Sequence, residues 1–122
     1  MEKKYCVRVE DIAPEVRSGG RNSFPLIVPK LVGNQGFAMG YHELNPGGEG
    51  GPVHTHEGGT IEAFFFLKGE GVLTIGEEEY TITPNMAAWA PCGVPHGIKN
   101  TGEDNLCFVW IYCPPKADQL PE

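Results

Sequence analysis

The 122-residue sequence contains no apolar run approaching the roughly 20 residues of a membrane-spanning helix. Its first residues, MEKKYCVRVE, lack the apolar core of a signal peptide. A soluble, cytoplasmic protein without a membrane partner is expected. No stretch sustains a helical period, and no repeat, low-complexity tract or linker is present, which excludes helical bundles and solenoids. Basic charge is scarce too. Nine Lys and Arg face sixteen Asp and Glu, for a net charge of −7, and this balance argues against nucleic acid as a partner. The four cysteines include no Cys-x-x-Cys pair. Cys107 and Cys113 fall in one expected strand, about 20 Å apart, too far for a mutual disulfide, so reduced thiols are expected.

What the chain does have is punctuation. Seventeen glycines and eleven prolines separate many short apolar runs, the pattern of an all-β sandwich or barrel. The length suits one domain, residues 1–122, with a core large enough to need no disulfide. Tyr5 to Val9 alternates and predicts an edge strand, while Pro14 to Pro25 reads as a loop with at most one turn of helix. Further strands are expected at Phe37 to Leu44, Val53 to His56, Ala63 to Leu67, Val72 to Ile75, Tyr80 to Thr83, Met86 to Ala90, His96 to Asn100 and Leu106 to Tyr112. That makes nine or ten.

Gly48 to Gly69 gathers two of the four histidines and a carboxylate. His54 and His56 stand two apart, so on a strand both leave the same face and can converge on one ion. Gly58-Gly59 can turn the chain so that Glu62 comes to face them. Glu57 is the competing carboxylate, although an extended strand points it to the opposite face from His56.

The spacing of Gly48, His54, His56, Glu62 and Gly69 resembles the first motif of the cupin family, with five residues between His56 and Glu62, one more than the usual pattern. Pro91, Gly93, His96 and Asn100 match its second motif, in which Asn85 stands where a glycine is usual and can adopt the same left-handed turn. The resemblance covers about Gly36 to Pro114, leaving an N-terminal arm of about 1–35. It implies a double-stranded β-helix, or jelly-roll barrel, with a divalent transition metal (Mn, Fe, Co, Ni or Zn) held inside by His54, His56, Glu62 and His96. Small single-barrel members commonly pair, and the Tyr5 to Val9 edge predicts a homodimer.

Family membership leaves the reaction open. The leading expectation is a redox-neutral isomerase, lyase or decarboxylase whose metal chelates a small oxygenated substrate, anionic or sugar-like. Alternatives are an iron-dependent dioxygenase and a non-catalytic sensor or binding module. A proton carrier is sought in the strand before the first motif, where alternation turns either His42 or the pair Tyr41 and Glu43 inward. One glutamate and three neutral imidazoles on a dication leave a positive site that favours an anionic ligand. Arg8, Arg17 and Arg21, the only arginines, are either surface residues or an arm folded over the barrel mouth. Cys92, inside the second motif, either approaches the metal or packs as a small apolar group.

Overall fold

The computed structural model describes residues 5–48 and 59–121. His54, His56, Glu57, and with them the strand expected at Val53 to His56, lie outside the described residues. Nine strands form among those described: β1 (Glu15–Arg17), β2 (Arg21–Ile27), β3 (Ala38–Leu44), β4 (Ile61–Lys68), β5 (Gly71–Ile75), β6 (Glu78–Ile82), β7 (Ala87–Ala90), β8 (His96–Asn100) and β9 (Leu106–Cys113). A four-residue helix, α1 (Pro29–Val32), and two single 3-10 turns complete the set. Every pairing is antiparallel, in a six-stranded sheet ordered β1-β2-β3-β9-β4-β7 and a three-stranded sheet ordered β6-β5-β8. The two sheets enclose the core as a jelly roll. No helix among the described residues is long and apolar enough to cross a membrane.

Alternation explains how the large sheet is built. Leu106, Phe108, Trp110 and Tyr112 of β9 are buried on its inner face, beside Phe64 and Phe66 of β4. Gly40, opposite Trp110 in the β3–β9 ladder, is required there, because a Cβ at that position would fall inside the indole ring. The backbone at Asn85 does adopt the left-handed conformation, with φ of 71°, and its N–H donates to the Phe66 carbonyl at 2.8 Å. On the outer face, one rung consists of Phe24, Tyr41, Val109, Phe65 and Ala87, and the next of Met39, Ile111, Ala63 and Trp89. None of these nine is charged and none is fully buried.

The N-terminal region departs from the sequence expectation. Tyr5 to Arg8 form no strand, and Val9 begins a 3-10 turn. The edge of the sheet is taken instead by β1, and the segment expected as a loop, Pro14 to Pro25, forms the β1–β2 hairpin. Gly19 and Gly20, with φ of 78° and 73°, supply the left-handed turn that closes it. Pro25 is accommodated where the β2–β3 register shifts.

Candidate functional site

Glu62 sits one residue into β4 and His96 opens β8, so each sheet contributes one side chain to the same point inside the barrel. Their side chains are only 5% and 2% exposed, with His96 Nε2 3.0 Å from Glu62 Oε1. The other imidazole nitrogen, Nδ1, lies 3.1 Å from the Val94 carbonyl. A carbonyl can only accept, so Nδ1 carries the hydrogen and donates. In the neutral ring Nε2 then offers a lone pair toward a carboxylate oxygen, which is also an acceptor. Two acceptors 3.0 Å apart are stable only with a cation or a proton between them. Burial opposes a charge on His96, but the hydrogen bond to Glu62, the Val94 carbonyl and the charge of Glu62 together raise its pKa. Tyr112 on the adjacent strand hydrogen-bonds Glu62, and burial together with that carboxylate raises the tyrosine pKa, keeping the hydroxyl a donor.

These residues line a cavity of about 400 Å³. Of the two orientations open for β3, His42 is the one on the cavity wall; Tyr41 and Glu43 lie on the outer face and do not line it. The His42 ring meets Phe108 edge-on with centroids 5.2 Å apart and lies 5.9 Å from Trp110. Burial pushes its pKa down to about 4; Glu62 opposes the shift, while Arg21, Arg17 and Lys116 add to it. His42 is therefore neutral at pH 7. Its Nδ1, and Nε1 of Trp110, are buried with no hydrogen-bond partner among the described residues. Outside, Tyr41 donates weakly to Glu43 at 3.5 Å, and burial followed by Cys107 raises its pKa.

Arg17 and Arg21 line the cavity, and Arg8 does not. Cys92 is exposed in the turn after β7 and lies outside the wall, and all four cysteines are free of disulfides. The described residues contain no cluster of three His, Cys, Asp or Glu. Glu62 and His96 are the pair that the structure brings together. The other motif residue, Asn100, acts as a brace: Nδ2 donates to the carbonyls of Leu44 at 2.9 Å and Asp104 at 2.8 Å, while Oδ1 accepts from Gly102 N at 2.9 Å. Sequence reasoning missed Trp110, Tyr112 and Lys116 on the wall. The period of β9 could have revealed the first two, because Trp110 and Tyr112 share a face with Phe108 and Leu106.

Comparison with known proteins agrees with this architecture. The model of the family described as "Cupin domain" matches residues 40–112. The chain is 30% identical over 111 residues to the oxalate-binding protein of Thermotoga maritima, spanning 86% of this chain and 90% of that one. Among solved structures, a predicted oxalate decarboxylase from Thermotoga maritima superposes with a TM-score of 0.80 at 27% identity, covering 89% of this chain and 98% of that one. A Thermus thermophilus protein superposes at 0.72 with 29% identity, covering 94% and 99%. The chain belongs to the cupin family.

Proposed function

We propose that this cupin binds a small oxygenated anion at a divalent metal and carries out a redox-neutral isomerisation, elimination or decarboxylation on it. The observation that supports this reading is the Glu62–His96 pair, two acceptors facing each other at 3.0 Å inside a barrel. The donor set fits a metal: one carboxylate, one imidazole whose second nitrogen is fixed by a backbone carbonyl, and a tyrosine hydroxyl steadying the carboxylate. Glu62 and His96 would hold the ion together with His54 and His56, which lie outside the described residues. Bound there, it would supply Lewis-acid stabilisation of negative charge developing on substrate oxygen.

The chain's own residues have separate tasks. His42, neutral at pH 7, offers a buried ring nitrogen that can hydrogen-bond and orient the bound acid. Phe64 and Phe108 close the wall and limit water, which strengthens each electrostatic contact inside. Isothermal titration of oxalate into manganese-loaded and chelator-stripped protein tests the reading. Binding that requires metal and disappears in Glu62→Gln is the expected result; equal binding by stripped protein would contradict it.

A second reading, binding without turnover, is favoured by the likeness to the oxalate-binding protein of Thermotoga maritima. Metal-dependent binding with no consumption of any acid, and no oxygen uptake with Fe(II), would select it over both catalytic readings.

We also propose that two copies meet through the outer face of the large sheet. An antiparallel sheet with one face on the core ordinarily presents polar residues on the other, whereas here Phe65 and Trp89 are 41% and 59% exposed within two uncharged rungs. Two chains of net charge −7 repel, and an uncharged face is where they can approach at least cost.

A further inference from the structure

The cavity wall carries a second polar group, contributed by strands other than those of Glu62 and His96. Alternation aims Glu15 and Arg17 of β1, with Arg21 and Ser23 of β2, at the cavity, and the register sets Arg17 directly opposite Arg21. Like charges facing one another across a ladder destabilise it; Glu15 lies 2.9 Å from Arg17, and Arg21 Nε donates to the Ser18 carbonyl at 3.2 Å. Burial followed by the charge of Arg17 lowers the pKa of Arg21, as expected for cations held close. Lys116 joins them on the wall, its Nζ 4.5 Å above the Tyr112 ring. In a chain of net charge −7 the cavity wall carries Arg17, Arg21, Lys30 and Lys116 against Glu15, Glu62 and Asp118.

Sheet order separates β2 from β4 by β3 and β9. Three strand spacings amount to about 14 Å along the sheet. Arginine and glutamate side chains reaching inward shorten that span, and a ligand that joins the two ends must be long enough to cover what is left. The cavity volume of about 400 Å³ likewise lies within the range of pockets that enclose larger ligands.

We infer that the site takes a dianion of four or more carbons, one carboxylate lying at the Glu62–His96 end and the second anionic group between Arg17 and Arg21. This rests on the metal-dependent binding proposed above and adds the far end of the ligand. A carboxylate between the two guanidiniums would relieve their mutual repulsion while gaining charge-assisted hydrogen bonds. The Arg17–Arg21 pair would then decide chain length, and the metal end would decide which oxygens chelate.

The test is calorimetric titration of the manganese-loaded full-length chain with glycolate, oxalate, L-malate and 2-oxoglutarate. In the Arg17→Gln/Arg21→Gln double variant, affinity for L-malate and 2-oxoglutarate should fall at least tenfold, and that for glycolate and oxalate less than twofold. Lys68→Gln, a neutralised lysine away from the cavity, should change none of the four. An equal loss for all four acids, no loss for the longer two, or failure of the native protein to bind the longer two would overturn the inference. Arginine-dependent binding of L-malate that survives removal of the metal would keep the arginine end and sink the metal reading instead.

Discussion

His96 Nε2 and Glu62 Oε1 lie 3.0 Å apart while the Val94 carbonyl occupies the opposite side of the imidazole, so the ring nitrogen facing the carboxylate is the one left to bind a cation. The ring cannot turn away without losing the Val94 bond, and the carboxylate is steadied by Tyr112. Glu62→Gln should therefore weaken metal retention by more than a hundredfold, and Glu57→Gln by far less. Competition against a fluorescent chelator measures both, and the reverse ranking would give the ligand role to Glu57.

Acid should destabilise the metal-free protein through His42. Its folded pKa of about 4 lies below the ordinary value of 6.5, so between these limits the unfolded chain binds the extra proton. The stabilisation is complete above pH 6.5 and is lost as pH falls toward 4, by up to about 3 kcal/mol. Urea unfolding of chelator-stripped native protein and His42→Gln at pH 4.5, 5.5 and 7 should give a difference that changes with pH in this direction. Parallel curves would remove His42 as the cause.

Gly40→Ala should cost about 1–3 kcal/mol, because the added methyl meets the Trp110 ring and one of the two strands must shift. A melting temperature unchanged from native would show that the indole can move aside.

Asn100→Ala should cost about 3 kcal/mol. It strands the buried Leu44 carbonyl, the part-buried Asp104 carbonyl and the Gly102 N–H, where the end of β8 meets β3 and the turn into β9. Asn100→Asp keeps the acceptor and loses both donors, so it should recover little of that loss in denaturant titration.

Phe65→Lys/Trp89→Glu should turn a dimer into a folded monomer by light scattering at micromolar concentration, since it places charge on both uncharged rungs. A native protein that is already monomeric would dispose of the interface.

The barrel from β3 to β9 was legible because its inner faces are apolar and alternate, and because Asn85 stands at a motif position where the structure has the expected left-handed turn. The β1–β2 hairpin was not legible for a physical reason. Its inward residues, Glu15, Arg17, Arg21 and Ser23, face a polar cavity instead of a core, so the hydrophobic period that marks a strand is missing. Tyr5 to Val9 has that period and no partner strand among the described residues, which is why pattern alone misplaced the edge. The homodimer expectation loses its support there and rests instead on Phe65, Trp89 and their neighbours.

Elemental analysis of protein purified without added metal tests the central claim most directly. The native chain should carry close to one transition-metal ion per molecule, and His96→Ala, folded by circular dichroism, should carry almost none. A folded native protein that holds no metal and takes up none on dialysis against Mn²⁺, Fe²⁺, Co²⁺, Ni²⁺ or Zn²⁺ would contradict the account.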